Sequence, residues 1–326
     1  MLNLENLKLL KDKKNLLAFS AGVDSSALFF LLLENNISFD IALVNYQLRA
    51  EAKEEEAYAR ELAKQHNLKA HVSHAPQWKS NFEKNARDFR YKFFDSLMIK
   101  YDHLLTAHQL NDQLEWFLMR FTKGAGISEL LGLTAISTRQ NYTIIRPLLQ
   151  LSKKELLTYL ESTQHKYFID KSNMNEKYER NHFRKEFSNQ LLETYKEGIQ
   201  RSFNYIEEDK KALTQGIEEI FHEKELYILS YREQYQIIRV VDTYLKKLGY
   251  LLSAEQRKEL REKKSLVVGG FWAIEVVETK IFIAPYRKST LPKPFKEYCR
   301  IVRIPSKIRA YLYEENIDPK ALVASF

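Results

Sequence analysis

NLLAFSAGVDSS, residues Asn15 to Ser26, runs directly into ALFFLLL, residues Ala27 to Leu33. The order is an apolar strand, a small loop carrying one glycine, one acid and several hydroxyls, and an apolar helix. Ser20, Ala21 and Gly22 keep side-chain bulk away, so that backbone N–H groups can converge on one concavity. The N-terminus of the following helix adds positive potential there. The loop Ser20, Ala21, Gly22, Val23, Asp24, Ser25, Ser26 is therefore a place for a phosphate-sized anion. No GxxxxGK(S/T) pattern occurs in the chain, which excludes a Walker A loop. The competing reading is an ordinary strand-to-helix turn in which Asp24 and Ser25 only cap the first turn.

Outward from this loop, strand candidates recur at Leu16–Phe19, Asp40–Asn45, Lys69–Ser73, His103–Thr106 and Thr143–Arg146. Helix-like stretches separate them, including Glu51–Gln65 and a segment opened by the capping pair Ser152 and Glu155. Such alternation predicts an α/β fold, a doubly wound parallel sheet with helices on both faces. Ligands of open α/β sheets bind beyond the carboxyl ends of the strands, so Ser20–Ser26 and the residues after Thr106 are expected to share one crevice. After about residue 200 the alternation stops. Ile206–Phe221 and Tyr231–Lys247 read as helices and Val267–Ile283 as a β pair, while Pro285, Pro292 and Pro294 mark a linker. The expected organisation is a catalytic domain over 1–200, a mostly helical domain over 201–285 and a small basic C-terminal segment over 286–326.

The 326 residues, 44% of them hydrophobic, are enough for more than one core. Neither an apolar signal core nor a run near the roughly 20 residues of a membrane span is present, so a cytoplasmic protein without a membrane partner is expected. Cys299 is the only cysteine, which excludes intrachain disulfides and cysteine-based zinc sites. His71 and His74 lack a third ligand and read as surface residues. Most of the net charge of +8 lies between Arg287 and Arg309, where eight Lys/Arg face one Glu. Interleaved with Phe295, Tyr298, Tyr311 and Tyr313, that segment suits a nucleic-acid backbone, with simple solubility as the alternative.

The second chemical segment is TAHQLNDQLEWFLMRF, Thr106 to Phe121. On a helix His108, Asp112 and Glu115 fall at i, i+4 and i+7 and share one face. Two carboxylates and an imidazole there suit Mg²⁺ or an incoming cationic amine; a solvated helix face is the alternative.

These segments together resemble a known family. The loop is similar to the SGGxDS signature of the PP-loop ATP pyrophosphatases, with Ala21 for the second glycine, a one-methyl change that most backbone conformations with φ < 0 tolerate. Thr106–Phe121 resembles the AHHxxDQxET motif of the tRNA(Ile)-lysidine synthetase subfamily; it keeps His108, Asp112, Gln113 and Glu115 and departs at Gln109, Asn111 and Trp116. VNYQLR at Val44–Arg49 is similar to VNHxLR, ARDFRY at Ala86–Tyr91 to ARxxRY, and IDKSNMNEKYERNHFR at Ile169–Arg184 to DxSNxxxxYxRNxxR. IIRPLL at Ile144–Leu149 matches almost unchanged. The six motifs span Leu16 to Arg184, and beyond residue 200 only length and layout suit the family's shorter members.

The resemblance implies a Rossmann-like PP-loop domain holding ATP at Ser20–Ser26, with Asp24 positioning Mg²⁺. It implies attack on the α-phosphorus by the C2 carbonyl of the wobble cytidine of a tRNA(Ile) with a CAU anticodon, then displacement of AMP by the side-chain amine of free L-lysine. Asp112 and Glu115 are candidates for the lysine ammonium groups, and His108 for proton transfer or for orienting Asp112. Arg87, Arg90 and Arg180 are candidates for the phosphoryl oxygens, each with a tRNA phosphate or a structural ion pair as rival. Arg49, Arg184, Lys293, Lys296, Arg300 and Arg303 are candidates for tRNA contact. The alternatives are another PP-loop amide-forming or tRNA-modifying ligase, or a non-catalytic RNA-binding protein; thiolation is disfavoured because a lone Cys299 supplies neither a catalytic cysteine pair nor an iron–sulfur site. The sequence does not fix the oligomeric state, a homodimer being one arrangement.

Overall fold

The structure, a computed structural model, describes residues 4–48, 51–139, 142–169 and 179–323. Arg49 and the middle of the Ile169–Arg184 block lie outside the described residues. Two compact units divide the chain, Met1–Glu207 and Glu208–Phe326.

In the first unit the chain runs α1 (Leu4–Leu10), β1 (Asn15–Ala18), α2 (Val23–Glu34), β2 (Phe39–Asn45), α3 (Glu51–Gln65), β3 (Ala70–His74), α4 (Phe82–Leu97), β4 (His103–Leu105) and α5 (Leu110–Phe121). It continues through α6 (Ile127–Leu130), β5 (Ile136–Arg139), β6 (Tyr142–Ile145), α7 (Lys153–Ser162), α8 (Glu179–Phe183) and the larger part of α9 (Asn189–Thr214). The sheet order is β3-β2-β1-β4-β6-β5, parallel except for the β5 edge, which pairs antiparallel to β6. Leu17 pairs with Ile41 on one side and Leu105 on the other, all three wholly buried. A strand covered on both faces needs apolar residues at successive positions, which is why NLLA does not alternate. The order reverses between β1 and β4, and ligand crevices form outside the carboxyl ends of the strands at such a switch point. The loops after β1 and after β4 meet there.

The second unit carries β7 (Glu218–Glu223), β8 (Leu226–Ser230), α10 (Gln236–Lys247), α11 (Ala254–Glu262), β9 (Ser265–Val268), β10 (Trp272–Val277), β11 (Lys280–Pro285), α12 (Lys293–Ile301), α13 (Arg309–Glu314) and α14 (Pro319–Val323). The anticipated β pair is the middle of a five-stranded antiparallel sheet, β7-β8-β11-β10-β9. Trp272, Ile274 and Val276 pack with α10, whereas Ala273, Phe282 and Ala284 pack with Cys299, Tyr311 and Leu312, so both sheet faces are covered. The helix read over Ile206–Phe221 stops at Thr214, because Gly216 takes φ +77° and turns the chain into β7. Pro292 and Pro294 do not form a linker; they open α12, where a missing N–H costs nothing. Residues 286–323 thus build one core with the sheet rather than standing apart.

Candidate active site

The phosphate-sized loop has the predicted form and one unpredicted backbone. Gly22 is the extended N-cap of α2 and makes no side-chain cap bond, which leaves the first-turn N–H groups of α2 open. The Ser25 hydroxyl accepts from the Ser20 N–H (3.2 Å) and donates to the Gly22 carbonyl (3.2 Å), stapling the loop shut from inside. The Ala21 carbonyl accepts from Phe168 N–H at 2.9 Å. Ala21 itself has φ +57°, outside the negative-φ backbone that would accept its methyl without strain. Left-handed backbone costs an alanine about 1–2 kcal/mol. The methyl recovers about 0.8 kcal/mol because it is fully buried, and the stiffer unfolded chain recovers about as much again. Ala21→Gly should therefore leave stability within about 1 kcal/mol of wild type, as urea unfolding would measure.

Two buried oxygens of this loop, Asp24 Oδ1 and Ser26 Oγ, have no hydrogen-bond partner. Burial, opposed by nearby Lys153 and reinforced by Asp112, raises the Asp24 carboxyl from 3.8 to about 6. A buried, poorly partnered carboxylate beside open N–H groups is an arrangement that a cation-bearing phosphate completes. Among the described residues no cluster of three or more His, Cys, Asp or Glu could hold a metal by itself.

The segment after β4 differs from the sequence expectation in its register. α5 starts at Leu110, so His108 lies before the helix and does not share a helical face with Asp112 and Glu115. Gln109 is the N-cap. Its side chain accepts from Asn111 N–H at 2.5 Å, while Asp112 Oδ2 accepts from Gln109 N–H at 3.0 Å, a capping box. His108 Nδ1 lies 3.0 Å from Thr106 Oγ1, so Thr106 rather than Asp112 is its partner. Burial, together with Arg146, Arg180 and Arg90 nearby and against the pull of Asp112, lowers the imidazole to about 4. It is neutral at pH 7.

The two carboxylates are brought together, and both face arginines. Glu115, wholly buried, accepts from Arg180 Nε at 2.7 Å, Arg184 Nε at 2.6 Å and an Arg184 terminal nitrogen at 3.0 Å. Asp112 Oδ1 accepts from Arg180 at 2.6 Å. Arg184 opens a π-helical turn, Arg184–Ser188, a local widening found often at functional sites. Asp24 lies within electrostatic reach of Asp112, Glu115 and Arg184, so the loop and the start of α5 lie close together at the carboxyl edge of the sheet. Arg90 of α4 borders it beside His108, and Arg87 lies against the Tyr91 ring at 5.6 Å.

Two crevice residues escaped the sequence reading. Lys153, the first residue of α7, acts on Asp24, and only its place after the capping Ser152 could have pointed to it. Arg146, the charge that breaks IIRPLL, is buried; it donates to the Thr134 carbonyl (2.8 Å) and Ser137 Oγ (3.0 Å) and keeps an unpaired Nε. The departures from the motif have structural work. The Asn111 amide donates to Asn189 Oδ1 (2.9 Å) and accepts from Lys153 N–H (3.0 Å), a pairing that an aspartate could not make with both. Trp116 donates to the Glu129 carbonyl and fits only because position 132 is glycine, whose Cβ would lie 2.1 Å from the indole.

In the second unit Lys293 and Lys296 of α12 are exposed, and Arg300 and Arg303 make only surface pairs, with Glu297 (2.7 Å) and Glu278 (3.5 Å). Among the described residues no helix is long and apolar enough to cross a membrane.

A PP-loop domain family matches residues 2–191. The chain is 47% identical over 323 residues to the tRNA(Ile)-lysidine synthase of Campylobacter jejuni strain RM1221, covering 98% of each chain. It is 43% identical over 321 residues to that of Wolinella succinogenes, again covering 98% of each. Among solved structures, the U34-tRNA thiolase NcsA of Methanococcus maripaludis aligns with a TM-score of 0.51 at 16% identity, over 62% of this chain and 76% of that one. At that identity the likeness is one of fold.

Proposed function

Because the chain belongs to the tRNA(Ile)-lysidine synthase family of PP-loop proteins, we propose that its crevice uses ATP to join free L-lysine to C2 of the wobble cytidine in a CAU-anticodon tRNA(Ile). The C2 oxygen attacks the α-phosphorus, and the bond to pyrophosphate breaks. The lysine side-chain nitrogen then attacks C2, the C2–O bond breaks with release of AMP, and the nitrogen loses its proton. The observation that carries this reading is the loop itself: open N–H groups with unpaired Asp24 Oδ1 and Ser26 Oγ, beside two carboxylates already holding cationic groups.

In this reading the α2 N-terminus receives the ATP phosphates and Ser26 Oγ donates to them. Asp24 would hold Mg²⁺, which when bound supplies positive charge against the phosphate oxygens. Asp112 and Glu115 take the ammonium groups of lysine once Arg180 and Arg184 turn to phosphate, an exchange of one cation for another on the same oxygens. His108 orients the attacking amine through a hydrogen bond; with its own pKa near 4 it cannot retain a proton drawn from an amine of ordinary pKa about 10.4, so the proton passes on to solvent or the departing phosphate.

The test is incorporation of labelled lysine into tRNA(Ile) with a CAU anticodon, with and without ATP, against a tRNA(Met) bearing the same anticodon. ATP-dependent labelling of the isoleucine tRNA alone supports the reading; pyrophosphate release without labelling would retain a PP-loop ligase but reject lysine as its nucleophile. On the basic surface, Lys293→Glu with Lys296→Glu should weaken tRNA binding across all sequences and flatten its salt dependence by about one log–log unit per lost phosphate contact, as filter binding between 50 and 200 mM salt would show.

A further inference from the structure

Beyond the crevice residues, one surface on α4 and the loop before it combines aromatic rings with cationic side chains and has no part in the chemistry above. Trp78 and Phe82 meet edge to face at 5.8 Å, Phe82 meets Tyr46 at 5.9 Å, and Trp78 meets Phe89 at 5.9 Å. Phe82 is 37% exposed and Trp78 half-buried. Lys79, next in the chain to Trp78, and Arg90, two turns along α4 from Phe82, are exposed cations on the same stretch of chain. A helix start packed purely for stability would bury its largest rings.

Position ties this surface to the crevice. Tyr46 follows β2 and Trp78 follows β3, so both stand at the carboxyl edge of the sheet, where the loop after β1 also lies. The Tyr46 hydroxyl donates to the Ala86 carbonyl of α4 (3.4 Å), and Arg90 of the same helix acts on both Tyr46 and His108. Glu83, next to Phe82, acts on Arg180, which holds Asp112 and Glu115. The aromatic surface therefore adjoins the place where the reacting base must lie. Rings that stay accessible among arginines and lysines suit an unpaired nucleobase with its phosphate: the ring stacks and the cations take the backbone.

We infer that Trp78 and Phe82 form a stacking platform for the anticodon-loop nucleotide that neighbours the modified cytidine. The inference rests on the function proposed above for its ligand. Stacking on one ring changes affinity by about tenfold to hundredfold.

Two measurements test it on the full-length protein. In steady-state lysidine formation, Trp78→Ala should raise KM for tRNA at least about tenfold and leave kcat and KM for lysine within about twofold, with Trp78→Phe restoring most of the loss. In protein labelled with 5-fluorotryptophan, whose three resonances are assigned with Trp78→Phe, a CAU anticodon stem-loop RNA should shift the Trp78 signal. A stem-loop that binds while the Trp78 resonance stays fixed overturns the platform, as does a Trp78→Ala variant with wild-type KM for tRNA. If Trp78→Ala fails to fold by circular dichroism, the fluorine signal alone decides. If wild type makes no lysidine, the proposed function falls, and the fluorine shift on the same RNA still reports whether the platform binds a base.

Discussion

Asp24→Asn should lose ATP-dependent pyrophosphate release by at least about a hundredfold and, at pH 7, melt at a higher temperature than wild type. Both effects have one cause. Asp24 is an acid taken out of water and left with Oδ1 unpaired, so its proton is held to about pH 6 in the folded chain but only to about 3.8 when unfolded. Folded protein therefore binds more protons than unfolded protein between those values, and stability falls as pH rises from about 4 to about 6. Above pH 6 the charged form costs at most about 3 kcal/mol, equivalent to several degrees in a unit of this size. Asparagine escapes that cost and loses the charge proposed above to position a cation at the phosphates. The check is paired melting curves at pH 4 and pH 7: the two proteins should coincide at pH 4 and separate at pH 7, asparagine above. Identical curves at both values would remove burial as the source of the raised pKa, and retained pyrophosphate release would remove Asp24 from the chemistry.

The second large effect concerns Glu115. Its carboxylate is wholly buried and accepts three short bonds from Arg180 and Arg184. Glu115→Gln leaves two guanidinium groups facing Asp112 alone. Breaking a buried pair by removing one partner costs about 3–5 kcal/mol. Here the side chains of Arg180 and Arg184 are 47% and 20% exposed and can turn to water, so about 2–3 kcal/mol is expected. The effect on reaction is larger and confined to the second step. KM for lysine should rise at least about tenfold and lysidine formation fall at least about a hundredfold, while ATP and tRNA together still release pyrophosphate. Pyrophosphate and lysidine assays run on the same preparation separate the steps. Unchanged KM for lysine in a folded Glu115→Gln protein would leave the carboxylate as nothing more than a clamp for Arg180 and Arg184.

The parallel strands were legible because burial on both faces demands runs such as NLLA, and the loop because only small residues permit N–H groups to converge. β5, ISTR, was invisible: as a one-sided edge strand of four residues it carries no run and too little alternation. The sheet of the second unit was legible only at its centre, since its flanking strand Glu218–Glu223 is charged and exposed and resembles a helix end. His108 was placed on the helix, which begins only two residues later, because glutamine is an uncommon N-cap and nothing in TAHQLND marks where the helix begins. The least legible feature was the partnership of Glu115 with Arg180 and Arg184, which joins residues 65 and 69 positions apart and depends on tertiary packing alone.

The bond from Phe168 N–H to the Ala21 carbonyl has a kinetic consequence. A peptide group that can flip presents either its positive or its negative end to an anion, and a loop of small residues flips easily. Tying the oxygen to Phe168 blocks that rotation, so the cast that fits the phosphate keeps its shape between turnovers. If the loop holds the ATP phosphates as proposed above, it is a loop ready for each nucleotide in turn rather than one that must be rebuilt.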